Sequence, residues 1–265
     1  MVKASEERKK SSARLTESQI YRSIFRTGIP VTRRQRMMSI LNNIFLHLHP
    51  VRIPRHAAKI KYVWCMGGLS FFLFLILTVS GILLMFYYRP TVEYAYNDII
   101  DLKEQVPFGV MREIHRWGAH LMVITVWLHM FRVFMTGSYR SPREFNWCVG
   151  VVLLTLTLFL SFTGYLLPWD QLAIWAITVG TNMARATPLI GHEGPGAAFL
   201  SIGDVNLIHA GSDVRFALLG GRFVGEAALL RFYVLHCIGV PVIIVVFMAI
   251  HFWRIRKDGG ISGPL

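Results

Sequence analysis

Four stretches of this chain are long and apolar enough to cross a lipid bilayer, at Val63–Phe86, Ile114–Met135, Trp147–Leu167 and Phe232–Trp253. A bilayer core about 30 Å thick needs about 20 apolar residues in helical conformation. Inside lipid each backbone N–H and C=O must find its partner within the protein, which leaves helices and closed barrels as spanning structures. Runs of this length and continuity predict helices. Composition agrees: 54% of the 265 residues are hydrophobic and 16% charged, against about 25% charged in soluble domains. The expected class is all-α, a transmembrane four-helix bundle. A cleavable leader is not expected, because residues 1–20 are charged and include Glu6, Glu7 and Glu17.

The net charge of +13 raises the question of nucleic acid, and its distribution answers it. Residues 1–62 carry fourteen Lys and Arg against three acids. Arg132, Arg140 and Arg143, and then Arg254, Arg256 and Lys257, fall on the same side of the membrane, each trio with a single acid beside it, Glu144 and Asp258. The opposite side, 89–116 and 170–231, holds eight basic and ten acidic residues. The positive-inside rule then places both termini on the cytoplasmic or n-side. The basic excess reads as topology and contact with anionic lipid, with no nucleic acid as partner. Residues 1–62 form a basic n-side arm, whose segment 18–50 is either an amphipathic helix on the membrane face or an unstructured basic arm. Residues 63–265 form the spanning domain, with a long loop at 169–230 on the other, p-side.

Ionisable residues inside spans are costly and point to function. His115 and His129 lie on span two, 14 residues apart, and His236 and His251 on span four, 15 apart. At 100° and 1.5 Å per residue each pair shares roughly one face, with members about 21–22 Å apart along the axis. Two parallel spans with matched histidines suit two large planar groups stacked across the membrane. Neutral imidazole is a good iron ligand, and opposed histidines can hold a haem inside a bundle. Spans two and four both run from the p-side to the n-side. His115 is therefore expected to pair with His236 near the p-side and His129 with His251 near the n-side, each pair the axial ligands of a haem b iron. His120 faces elsewhere on span two, and His47, His49, His56, His192 and His209 are assigned no role.

Glycines repeat the same period. Gly67 and Gly81 on span one are 14 apart, as are Gly150 and Gly164 on span three, which suits close approach of a porphyrin to the backbone as well as ordinary helix packing. Arg112 and Arg116 near His115, and Arg143 at the n-side, are candidates for haem propionates or for lipid phosphate. Pro241 is expected to kink span four. Cys148 and Cys237 read as small packed apolar residues, and no CxxC or CxxCH motif is present.

Several motifs resemble cytochrome b of the Rieske–cytochrome b complexes: His115-Arg116-Trp117, His129-Met130-Phe131-Arg132, Pro142-Arg143-Glu144, and Gly164-Tyr165 through Pro168-Trp169-Asp170-Gln171. Tyr87-Tyr88-Arg89-Pro90-Thr91, Arg231-Phe232-Tyr233 and Ile261-Ser262-Gly263-Pro264-Leu265 are similar to the cytochrome b6 type. The resemblance covers about 55–191 and 222–265. It implies the haem-bearing electron-transfer subunit of a quinol–cytochrome c, or plastocyanin-type, oxidoreductase, not active alone. Electrons from p-side quinol oxidation would cross two b haems to an n-side quinone-reduction site, coupled to proton translocation. Implied partners are a Rieske iron–sulfur protein, a separate subunit carrying the PEWY motif absent here, and a c-type cytochrome, in a homodimeric complex. The resemblance also implies a third, covalently bound c-type haem on Cys65 at the n-side quinone site, which Arg256 and Lys257 would line.

This sequence departs from that pattern in its long N-terminal arm, in an insertion near 192–221, and in Leu77 where a glutamine is expected. These favour a bacterial cytoplasmic-membrane complex, respiratory or of anoxygenic photosynthesis, over a chloroplast or cyanobacterial one. The alternatives are a di-haem membrane anchor of another respiratory oxidoreductase and a haem-binding assembly or sensor protein.

Overall fold

The computed structural model describes residues 31–41, 55, 59, 64–105, 108–202 and 205–261. The expected surface helix of segment 18–50 is described only within 31–41, where α1 spans Arg33–Leu41. The rest of that segment, and Val63, lie outside the described residues.

Four helices have the length and apolarity to cross a membrane, and they match the four stretches read from the sequence. They are α2 (Met66–Met85), α4 (Phe108–Met135), α5 (Glu144–Tyr165), and a fourth made of α8 (Glu226–Val234), a π-helical turn (Leu235–Gly239) and α9 (Val240–Lys257). The fourth starts earlier than expected, because the segment from Glu226 to Arg231, Glu-Ala-Ala-Leu-Leu-Arg, is made of good helix formers and continues the helix. Most of the span surface is apolar and exposed, including Phe72 and Val79 on α2 and Val242 and Val246 on α9. Polar side chains within the spans satisfy themselves locally: Ser70, Thr78 and Ser80 each donate to the carbonyl four residues back, as a water-free surrounding requires.

Pro241 acts in span four as a π turn immediately before it. A proline has no N–H and its ring crowds the carbonyl four residues back, here Cys237. The backbone widens over Leu235–Gly239 and absorbs the mismatch. His236 sits inside this turn.

The shorter elements are α3 (Ala95–Glu104), α6 (Gln171–Ala184), α7 (Val214–Leu219) and a two-residue antiparallel ladder pairing β1 (Ser201–Ile202) with β2 (Val205–Asn206). This ladder, in the long loop, is a minor exception to an all-α fold. Asp170 caps α6 by accepting from Ala173 N (2.8 Å), and Asp213 caps α7 by accepting from Phe216 N (2.8 Å).

The described chain gathers into two compact units. One comprises the residues up to Ser70, with Ile124–Thr155 and Ile244 onward. In it the Ser70 and Thr125 hydroxyls are in hydrogen-bond contact (3.1 Å). The other comprises Phe71–Val123 and Leu156–Ile243. Its core packs Leu166, Ala173, Ile177, Leu219, Leu229 and Phe232 together, so the long loop is folded onto the helix ends. Tyr88 OH donates to Leu167 O (2.6 Å), and Arg89 clasps Asp98 through its guanidinium and its backbone N–H.

Candidate functional site

Two pairs of histidines face each other, one pair in each unit. His115 on α4 faces His236 in the π turn, with ring centres 6.2 Å apart and planes at 75°. His129 on α4 faces His251 on α9, with ring centres 6.3 Å apart and planes at 82°. A metal–imidazole bond is about 2.0–2.1 Å, and the ring centre lies about 1.1 Å behind the nitrogen, so two imidazoles on one metal set their centres about 6.2–6.4 Å apart. Both pairs have that separation. Paired imidazoles at this separation are the donor set that would hold a haem iron, with His115 and His236 at one site and His129 and His251 at the other. Among the described residues no group of three or more His, Cys, Asp or Glu could hold a bare metal ion.

Hydrogen bonds orient the rings of His115 and His236. The Ser80 hydroxyl spends its proton on Ile76 O (2.7 Å), so at 2.9 Å it accepts from His115 Nδ1–H. Thr163 likewise donates to Leu160 O (2.9 Å), and His236 Nδ1–H is directed at Leu160 O (3.1 Å) and Thr163 Oγ1 (3.2 Å). In both rings the proton stays on Nδ1 and the Nε2 lone pair is left for a ligand bond, the usual second-shell arrangement of a metal-binding histidine.

Each of the four glycines stands against one of the four histidines. A Cβ on Gly81 would come 3.1 Å from His115 Cε1, and one on Gly67 3.1 Å from His129 Cε1. On Gly164 it would overlap the His236 ring, and on Gly150 it would lie 3.9 Å from His251 Cε1. The His129–His251 pair also borders a cavity of about 90 Å³ whose lining includes Arg132, Arg143, Asn146, Gly150 and Asp258.

The remaining residues singled out from the sequence are dispersed. Arg112 and Arg116 both engage Glu113, at 3.2 and 2.5 Å. Arg143 donates to Asp258 O (3.2 Å) and Gly260 O (3.4 Å) and lines the n-side cavity. Arg256 and Lys257 end α9, with Lys257 Nζ 4.7 Å from the Trp253 ring centre. Cys65 is exposed just before α2, and both it and Trp64 have left-handed backbone (φ 52° and 55°). His120 is exposed and bonded to Arg116 O, apart from both pairs. Cys148 is exposed on α5, a correction to its reading as a packed residue. Sequence reasoning passed over Ser80 and Thr163, which carry no motif, and the buried Arg254 and Asp258, which it counted only as charge.

The comparisons with known proteins agree with this architecture. The family described as Cytochrome b/b6/petB matches residues 53–194. Cytochrome b6 of Gracilaria tenuistipitata var. liui is 42% identical over 80% of this chain and 88% of its own, and that of Porphyra purpurea is 41% identical over the same shares. Cytochrome b6 of Synechococcus elongatus is 40% identical with the same coverage. A solved chain titled hyperthermophilic respiratory Complex III superposes with a TM-score of 0.62 at 28% identity. It covers 75% of this chain, which spans about half (48%) of that longer one. The chain therefore belongs to the cytochrome b/b6 family, as a multi-pass membrane protein and haem-b-binding electron-transfer subunit of a multi-subunit b6f/bc1-type complex.

Proposed function

We propose that residues 63–265 carry two b haems, one held by His115 and His236 and the other by His129 and His251, and that this pair conducts electrons across the membrane. The observation that carries the reading is the opposed histidine pairs at ring separations of 6.2 and 6.3 Å, each ring backed by a glycine. Gly67, Gly81, Gly150 and Gly164 leave room for a macrocycle edge. Ser80 and the Leu160 carbonyl hold the p-side rings in the ligating tautomer. Arg143 at the n-side cavity is positioned for a propionate there, with Arg112 and Arg116 taking that role at the p-side.

In this reading quinol is oxidised at the p-side, and one electron passes to a Rieske iron–sulfur protein and on to a c-type cytochrome or plastocyanin-type acceptor. The other crosses the two haem sites to an n-side quinone, with protons released and taken up on opposite sides. A second subunit bearing the PEWY motif completes the quinol-oxidation site, and the complex is a homodimer. Charge asymmetry supports termini on the cytoplasmic face of a bacterial membrane. Cys65, an exposed thiol just before α2, would carry a third haem through one thioether bond, and Arg256 and Lys257 would line the quinone site there.

Two measurements test this. A reduced-minus-oxidised spectrum of the purified complex should contain two low-spin b haems per chain; one or none ends the di-haem reading. A denaturing gel stained for haem should mark this chain and lose the stain in Cys65→Ala. An unstained wild-type band, or stain that survives the substitution, rules out the thioether.

A further inference from the structure

A cavity of about 460 Å³ opens on the surface where the end of α3 meets the start of α4. It is lined by Lys103, Gly109, Val110, Glu113, Ile114 and Trp117, and by none of the four paired histidines. All of these residues belong to one compact unit. Its volume falls within the range of about 300–1,000 Å³ usual for small-molecule sites. Gly109 makes the junction close: a Cβ there would come 2.8 Å from Lys103 O and 3.4 Å from Leu102 O. The last turn of α3 therefore lies directly against the first turn of α4, and Lys103 is brought to the mouth of the cavity.

The lining changes character along α4. Val110, Ile114 and Trp117 stand on one face of the helix, and Leu121 continues it. All four are 45–58% exposed. At 1.5 Å per residue this face extends about 16 Å from Val110 to Leu121. The charged groups gather at its beginning, where α4 enters its membrane-spanning stretch at Gly109. There the Glu113 carboxylate is already engaged by both Arg112 and Arg116. Lys103, in the last turn of α3, is exposed and forms no ion pair among the described residues. A cation at one end and an apolar channel running on into the span match a molecule with an anionic head and a hydrocarbon tail. Trp117 sits between the two, the place an interfacial tryptophan takes at the edge of a bilayer.

We propose that this groove seats one phospholipid, its phosphate on the Lys103 ammonium and one acyl chain along Val110, Ile114, Trp117 and Leu121. Lysine suits the task because its aliphatic stem follows apolar surface while its head reaches the charged layer, and basic groups beside membrane helices recognise lipid head groups in this way. A quinol ring carries no charge and would leave Lys103 unmatched, and a partner's apolar helix would cover the ammonium with hydrocarbon. The inference does not depend on the di-haem reading; it needs only that α4 spans the membrane.

The test is the phospholipid content of the purified complex after prolonged detergent washing, measured by mass spectrometry of the lipid extract, with haem content per chain as the control for assembly. Lys103→Gln should retain one phospholipid fewer per chain than wild type, and Lys103→Arg, which keeps the charge, should retain as many as wild type. Val110→Trp fills the cavity from an exposed position and leaves Lys103 in place; it should lose the same molecule, and micelles of phospholipid added back should not restore it. The inference is overturned if either Lys103→Gln or Val110→Trp retains as much phospholipid as wild type, if Lys103→Arg loses the molecule as the glutamine does, or if what leaves the two variants is a quinone or another polypeptide.

Discussion

A methyl group placed on Gly164 would overlap His236 Cε1 and lie 2.9 Å from Nδ1 and 3.0 Å from Nε2. The ring cannot yield without losing its bonds to Leu160 O and Thr163 Oγ1. Two opposed effects bear on Gly164→Ala. Replacing a mid-helix glycine by alanine stabilises a helix by about 0.5–1 kcal/mol, and overpacking a filled site costs about 1–3 kcal/mol. Because the atom met is part of the ligand itself, the net loss should appear as displaced ligation rather than as unfolding. The four glycines form a graded series. Gly164→Ala should be worst and Gly67→Ala and Gly81→Ala intermediate, with a new Cβ 3.1 Å from a histidine carbon. Gly150→Ala, at 3.9 Å, should be nearly neutral toward the imidazole. The assay is haem content per chain and the reduced-minus-oxidised spectrum of each purified variant. Gly164→Ala should lose one b component. Full haem content in Gly164→Ala together with loss in Gly150→Ala would refute the argument that glycine makes room for the histidine.

Removing the hydroxyl that accepts from His115 Nδ1, in Ser80→Ala, should weaken p-side haem retention by about 10–100-fold, the usual effect of losing a second-shell partner, read by competition with a haem acceptor. Retention equal to wild type would mean that Ser80 does not orient the ring. The Arg89–Asp98 clasp should show in pH-dependent melting. The hydrogen bond from Arg89 holds the Asp98 carboxyl below its ordinary value, partly offset by burial. A depressed folded-state value contributes stability above the unfolded carboxylate pKa of about 3.9 and loses it as pH falls through the folded value. Asp98→Asn should therefore lower the Tm at neutral pH, with the gap to wild type closing at strongly acid pH. A gap that persists unchanged into acid would assign the loss to packing.

Much of the site was legible along the chain because lipid leaves a spanning segment little choice but helix, and a helix converts residue spacing into face and depth. His115 with His129, His236 with His251, and the glycine pairs could be placed by counting. The departures come from features that counting does not see. Pro241 was expected to kink its helix; what counting does not see is the π turn over Leu235–Gly239 just before it, which holds His236 and relieves the crowded carbonyl while the helix continues. Cys148 lies on an exposed face because apolar spans are apolar all round, and periodicity then says little about which side faces protein.

Depth along a span thus follows from local helix geometry, and the number of spans and the inventory of histidines from the sequence itself. Rotation of each helix about its axis does not, because it is decided by packing between segments far apart in the chain. Only the folded structure sets Gly81 against His115 and Gly164 against His236, and turns Ser80 and Leu160 O toward those rings. The arginines make the same point. Arg132 and Arg254 count as two more basic charges when read in order, and only the folded structure shows that both are buried.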